Sequence, residues 1–171
     1  MSIDRIGVLG AGAWGTALAL AAQRAGRTTT LWSRRPDQAG TMRRTRENAD
    51  YLPGIALPPG LTVTSDPAEA ISGADALLLV IPAQHMRGAL AAFDIPAGIP
   101  LISAAKGIEL STDKTMSAVL QELFPDNPAA VLSGPSFANE TAAGKPTAVT
   151  LAAADRDLAL QLVEALNAGT F

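Results

Sequence analysis

The sequence predicts an α/β fold in which a doubly wound, mostly parallel sheet is covered by helices on both faces. Two observations support this prediction. Short apolar runs alternate along the chain with segments whose apolar residues recur at helical spacing, which is typical of βαβ units. The first apolar run also leads into a glycine-rich turn that opens the first predicted helix. Together they indicate one Rossmann-type domain over residues 1–171.

The first four elements are each supported by their own residues. Residues 5–9 predict an apolar strand, and residues 14–25 place apolar side chains at helical spacing before a stop at Gly26. Residues 28–32 predict a threonine-rich strand, since β-branched side chains favour strands. Residues 36–46 predict a helix that is opened by a proline.

The alternation continues to the end of the chain. Residues 48–59 are predicted to be a loop because they are rich in proline and glycine, and residues 76–81 are apolar enough for a strand buried on both faces. The other strands are predicted at residues 61–64, 101–105, 129–132 and 147–152. The other helices are predicted at residues 67–72, 84–93, 112–124, between Ser136 and Gly144, and at 155–166.

Composition and charge exclude several classes of function. The net charge is −3, and the only dense basic stretch is Arg43, Arg44 and Arg46, so we expect no nucleic-acid partner. The chain has no cysteine, which excludes disulfides and thiolate chemistry, and its single histidine makes a metal site unexpected. A serine–histidine hydrolase would need His85 and a G-x-S-x-G turn, and the sequence has no such turn.

The uncharged segment at residues 6–23 admits two interpretations. A secretory leader is one of them. Four glycines interrupt the segment, however, where a strand must turn into a helix, and its removal would leave the sheet without its first strand. We therefore assign it to the fold and expect no membrane insertion. The absence of cysteine fits a reducing compartment, and we expect a cytoplasmic location.

The turn at Gly10, Gly12 and Gly15 matches G-x-G-x-x-G between a strand and a helix, which predicts a site for NAD or NADP. Gly10 permits the tight turn, Gly12 lets the backbone approach the pyrophosphate, and Gly15 lets the helix pack on the strand. Phosphate charge then meets the amides at the helix N-terminus. Trp14 is predicted to lie either over the cofactor or in the core.

The residues after the second strand bear on which dinucleotide binds. An NAD site usually has an acidic residue at this place, for the ribose hydroxyls. Here the sequence has Arg34 and Arg35, whose guanidinium groups suit a 2′-phosphate. This favours NADP, or acceptance of both cofactors. The alternative is that one of the two arginines is simply solvated.

Two further loops follow predicted strands at the edge where open α/β sheets bind ligands, at residues 81–83 and 104–107. The second carries Lys106. Spacing alone leaves open whether this lysine contacts a phosphate, a carbonyl oxygen or the cofactor, or is an exposed lysine at a strand end.

Several motifs occur in a characteristic order along the whole chain. They are the glycine turn, Leu31-Trp32-Ser33-Arg34-Arg35, Tyr51-Leu52-Pro53-Gly54, Lys106-Gly107-Ile108-Glu109 and Ser133-Gly134-Pro135-Ser136-Phe137-Ala138-Asn139-Glu140. In the order of these motifs, the chain resembles bacterial-type NAD(P)-dependent glycerol-3-phosphate dehydrogenase. The resemblance implies reduction of dihydroxyacetone phosphate to sn-glycerol 3-phosphate, which is used for phospholipid synthesis. The last two motifs are specific, whereas many dehydrogenases share the glycine turn.

The resemblance also implies roles for single residues. Expected cofactor contacts are Ala13 (through its amide), Trp14, Arg34, Arg35, Lys106 and Ala138. Expected substrate contacts are Lys106, Gly134 and Ser136, so that Lys106 supports catalysis without donating the proton.

Members of the family continue into a helical domain that carries the proton-donor lysine, and no such segment follows Phe171. We therefore expect the cofactor-binding half of the enzyme, inactive by itself, and we consider a homodimer for the full-length protein. Two other functions remain open on the residues. One is a different Rossmann reductase, such as a ketopantoate reductase or a hydroxyacid dehydrogenase, and the other is a non-catalytic dinucleotide-binding module.

Overall fold

The computed structural model describes residues 2–171. The strands are β1 Arg5–Leu9, β2 Thr28–Trp32, β3 Glu47–Asn48, β4 Leu52–Ala56, β5 Thr62–Thr64, β6 Ala76–Leu79, β7 Leu101–Ser103, β8 Ile108–Glu109, β9 Lys114–Thr115, β10 Ala129–Ser133 and β11 Thr150–Ala153. The helices are α1 Ala13–Arg24, α2 Pro36–Thr45, α3 Pro67–Ile71, α4 Ala83–Leu90, α5 Met116–Leu123, α6 Ala138–Ala142 and α7 Arg156–Leu166.

The main sheet has seven strands in the order β11-β10-β7-β6-β1-β2-β5. All neighbouring pairs are parallel except β10 with β11, so the predicted Rossmann-type fold is confirmed. The chain moves outward from β1 in one direction through β2 to β5, and in the other through β6 to β10. The boundary between β1 and β6 is thus the topological switch point, beside which open α/β sheets bind their ligands.

The core lies on both faces of this sheet. Strand β6 shows this directly, because its four residues are all buried and successive side chains enter different hydrophobic clusters. Leu78 joins the cluster on the α1 and α7 side, whereas Leu77 and Leu79 join the cluster on the α4 and α5 side. Burial of each leucine contributes about 1.5–3 kcal/mol of hydrophobic free energy.

Two predicted segments were wrong. Residues 48–59 are not all loop, since β3 and β4 pair as an antiparallel hairpin. The helix predicted over residues 112–124 begins only at Met116, because residues 108–115 form the short hairpin β8–β9. Thr115 ends that hairpin and caps α5, where its hydroxyl accepts a hydrogen bond from the Ala118 amide at 3.4 Å. Strand β11 also begins at Thr150, three residues later than expected.

None of the helices formed by residues 2–171 combines the length and the apolarity needed to cross a membrane. The same residues contain no group of three or more His, Asp and Glu side chains placed to hold a metal ion.

Candidate functional site

A cleft of about 360 Å³ opens at the carboxyl edge of the sheet, where β1, β6, β7 and β10 end. Its lining is mostly apolar with few polar side chains, which is typical of cofactor sites. The predicted site residues that line it are Ala13, Trp14, Lys106, Gly134, Ser136 and Ala138. Residues that the family resemblance implied, up to 125 positions apart along the chain, therefore line one cleft.

The three glycines of the turn have different physical reasons to be glycine. Gly10 has φ = +126°, and a Cβ there would lie 2.4 Å from the Val80 carbonyl oxygen. A Cβ on Gly15 would lie 1.8 Å from the Gly10 carbonyl oxygen. Gly12 differs, since its φ is −75° and a Cβ there would meet nothing within 4 Å. The fold requires Gly10 and Gly15, whereas the space at Gly12 is left open.

That open space adjoins the N-terminus of α1. Gly12 is the N-cap, no side chain caps the helix, and no acidic residue lies in its first turn. The first intrahelical bond runs from the Thr16 amide to the Gly12 carbonyl oxygen at 3.0 Å. The preceding amides and the helix dipole are therefore available to an anion. Trp14 is half-buried and lies both against the core and in the lining of the cleft.

A buried polar network, which sequence reasoning missed, holds the turn from behind. The Asn48 side-chain amide donates to the Ala11 carbonyl oxygen at 3.0 Å and to Thr16 Oγ1 at 2.7 Å. Gln38 donates to the same carbonyl oxygen and to Asn48 Oδ1, and its own oxygen accepts from Ser33 Oγ at 2.7 Å. Asn48 and Gln38 belong to none of the motifs above, and only the fold brings them together with Ser33 and Thr16. The network fixes the glycine turn to β2, α2 and the β3–β4 hairpin.

Replacing Asn48 with alanine is expected to lower the free energy of unfolding by about 1–3 kcal/mol, because the partners of a buried amide are left unsatisfied. Urea denaturation measures this. Asn167→Ala is the matched control, since Asn167 is exposed and its side chain accepts only the local Gly169 amide. Equal unfolding midpoints for the Asn48 variant and the unchanged chain would show that the network contributes no stability.

The structure changes the interpretation of the two arginines after β2. Both are exposed, but Arg35 Nη2 donates to Asp50 Oδ2 at 2.6 Å. The Asp50 carboxylate raises the pKa of Arg35. Residues 32–35 contain no acidic residue, yet the β3–β4 hairpin brings Asp50 to Arg35. Arg34 takes part in none of the ion pairs among residues 2–171.

Lys106 lines the cleft three residues after the end of β7 and is exposed. It too takes part in none of the ion pairs of the described chain. The loop that carries it is anchored by Glu109. Arg87 Nε donates to both oxygens of Glu109, at 2.9 and 3.0 Å, and Thr112 Oγ1 donates to Oε2 at 2.5 Å. The Arg87 guanidinium lowers the pKa of the Glu109 carboxyl, so its charge is retained. Glu109 thus has a structural role that its motif did not reveal.

The segment after β10 forms the remaining wall of the cleft. Gly134 packs closely, because a Cβ there would lie 3.0 Å from the Ala148 carbonyl oxygen. Ser136 is half-buried in the lining. Phe137 also lines the cleft and is 70% exposed, an apolar side chain that sequence reasoning did not single out. A large exposed aromatic at the mouth of a cleft is suited to contact a bound molecule.

Comparisons with known proteins agree with this geometry. A family profile described as NAD-dependent glycerol-3-phosphate dehydrogenase N-terminus matches residues 5–159. A Rhodospirillum rubrum protein named glycerol-3-phosphate dehydrogenase (NAD(P)+) is 52% identical over 99% of this chain and 49% of its own length. A Bradyrhizobium protein of the same name is 55% identical over 97% of this chain and 51% of its own length.

A solved structure gives the same result. The crystal structure of glycerol-3-phosphate dehydrogenase from Coxiella burnetii superposes with a TM-score of 0.90 at 33% identity, over 96% of this chain and 51% of that one. The chain therefore spans about half the length of the relatives that it matches.

Proposed function

We propose, on the premise that this chain belongs to the NAD-dependent glycerol-3-phosphate dehydrogenase family through its N-terminal domain, that it forms the dinucleotide-binding half of such an enzyme. The observation that carries the proposal is the open space at Gly12 beside the uncapped N-terminus of α1. The fold tolerates a side chain there, so a glycine at this position is explained by a ligand that approaches the backbone.

The proposed dinucleotide site has three parts. The amides of Ala13 and its neighbours would hold the pyrophosphate at the start of α1. The mostly apolar cleft between Trp14 and Ala138 would take the nicotinamide end, and Arg34 and Arg35 would lie toward the adenosine ribose. When bound, the cofactor supplies the hydride, while the protein positions it and excludes water.

We propose dihydroxyacetone phosphate as the substrate, to be reduced to sn-glycerol 3-phosphate for phospholipid synthesis. Lys106 would contact both cofactor and substrate, and Gly134 and Ser136 would contact the substrate. A free ammonium group in the lining of the cleft supports this, because it can stabilise negative charge on a phosphate or on a carbonyl oxygen. By the family resemblance, the lysine that donates the proton would lie in the helical domain of the full-length enzyme.

Isothermal titration with NADH and with NADPH tests the proposal. We expect these 171 residues to bind both, with NADPH accepted at least as well as NADH. If neither dinucleotide binds to the folded chain, the proposed function is wrong.

Replacement of both Arg34 and Arg35 with alanine is expected to weaken NADPH binding selectively, by about 1–3 kcal/mol, because charge-assisted bonds to the 2′-phosphate are lost. The ratio of the two dissociation constants measures the effect. Arg44→Ala, on the exposed face of α2, is the control and should leave the ratio unchanged. An equal loss for NADH and NADPH would instead indicate that the arginines contact the adenine ring.

A further inference from the structure

We propose that Asp50 sets the relative affinity of this chain for dinucleotides with a 2′-phosphate and for those with a 2′-hydroxyl. The proposal rests on the proposed function, since it concerns the same dinucleotide site. Its basis is a carboxylate that linear spacing does not predict and that the fold places against Arg35, the second of the two arginines after β2.

The position of Asp50 is fixed by buried groups. Asp50 lies in the turn between β3 and β4, two residues after Asn48, whose side chain is bonded to the Ala11 carbonyl oxygen of the glycine turn. The hairpin is also closed locally, because Glu47 Oε1 accepts from the Gly54 amide at 2.7 Å. The backbone that carries Asp50 is therefore held relative to the dinucleotide site.

Asp50 changes the charge that a ligand meets at this place. Its Oδ2 lies 2.6 Å from Arg35 Nη2, with side chains that are 60% and 45% exposed, respectively. One of the two guanidinium groups is thus already paired with a carboxylate. Arg34, in contrast, takes part in none of the ion pairs formed by residues 2–171.

The two kinds of dinucleotide respond to this arrangement differently. A phosphate monoester carries a charge of about −1.5 to −2 at neutral pH, so it is repelled by Asp50 and must share Arg35 with it. A 2′-hydroxyl is neutral, and a carboxylate can accept its hydrogen bond. Asp50 therefore disfavours the 2′-phosphate relative to the hydroxyl, and the site accepts both cofactors instead of selecting NADP strongly.

The test is Asp50→Asn, with NADPH and NADH titrated separately. NADPH affinity is expected to rise by about three- to tenfold, the size of a Coulomb interaction between partly exposed charges. NADH affinity should change by less than about twofold. The gain should shrink at about 1 M salt, where the Debye length falls to about 3 Å. Asp50→Glu, which keeps the charge, should keep the original ratio.

Asp4→Asn is the matched control. Asp4 is also an exposed acid paired with an arginine, Arg27 at 3.3 Å, but it lies at the start of β1, opposite to the cleft. This variant should bind both dinucleotides as the unchanged chain does.

Three results would overturn the proposal. Unchanged affinities for both dinucleotides in Asp50→Asn would leave Asp50 as a surface ion pair only. Equal weakening of both ligands would mean that Asp50 acts through the shape of the hairpin. If the unchanged chain binds neither dinucleotide, the proposed function itself is wrong. This result is distinguishable from the first two, in which the unchanged chain binds both.

Discussion

Gly12→Val is expected to abolish dinucleotide binding while leaving the fold intact. Gly12 has φ = −75° and ψ = −176°, an extended conformation that valine adopts readily, and a Cβ there meets no atom within 4 Å. The added side chain instead occupies the place where the pyrophosphate would approach the amides of α1. Loss of two charge-assisted hydrogen bonds, each of about 1.5–3 kcal/mol, weakens binding by on the order of 100-fold or more.

Titration with NADPH gives the affinity, and thermal denaturation monitors the fold. Gly88→Val is the matched control, because Gly88 also has open space around its Cβ position but lies on α4, which should leave binding unaffected. Gly10→Val is the contrasting variant and should fail to fold, since its Cβ would lie 2.4 Å from the Val80 carbonyl oxygen at φ = +126°. NADPH binding by the Gly12 variant at the original affinity would show that the turn does not hold the pyrophosphate.

The 171 residues alone are expected to show little or no dehydrogenase turnover although they bind cofactor. Reduction of a ketone leaves negative charge on its oxygen, and a positioned acid that protonates it contributes about 10²–10⁴ in rate. Among residues 2–171, Lys106 is the only lysine or arginine that lines the cleft, and the resemblance gives it an orienting role. The cleft is also open to water, which weakens the electrostatic contacts inside it.

The measurement is NADPH oxidation with dihydroxyacetone phosphate. The same assay is run on a fusion protein that joins these residues to the second half of the Rhodospirillum rubrum relative. That half is the part of the relative that this chain, which matches 49% of its length, does not cover. Titration of NADPH into both proteins controls for folding, since each should bind the cofactor. Comparable turnover by the short chain would contradict the prediction and would make Lys106 the proton donor.

The parts of the fold that the sequence predicted are those encoded by neighbouring residues. Strand β6 was recognisable from the continuous apolar run at residues 76–81, although it ends at Leu79. Strands β1 and β2 have the bounds expected from their apolar and threonine-rich runs. Asp66 caps α3 directly before the helix predicted at residues 67–72, whereas Asp155, expected as the first residue of the last helix, is its N-cap. In each case the signal lies within one turn or one strand.

What the sequence did not predict depends on residues that are distant along the chain. The β3–β4 hairpin has a two-residue strand and an irregular register, so it has no recognisable periodicity. Its attachment through Asn48 to Ala11 spans 37 residues, and the ion pair of Asp50 with Arg35 spans 15. Such contacts exist only after the sheet is assembled, which is why the charge at the arginines was misjudged from the linear order.

The different surroundings of the three glycines have a consequence for how this turn changes in evolution. Substitutions at Gly10 and Gly15 are removed by selection for folding, whatever the protein binds. Substitutions at Gly12 are removed only while a ligand must approach the backbone there. In a descendant released from its ligand, Gly12 should therefore drift first, while the other two persist. A homologous sequence that keeps glycine at the positions of Gly10 and Gly15 but not at that of Gly12 would indicate a domain that still folds and no longer binds the ligand.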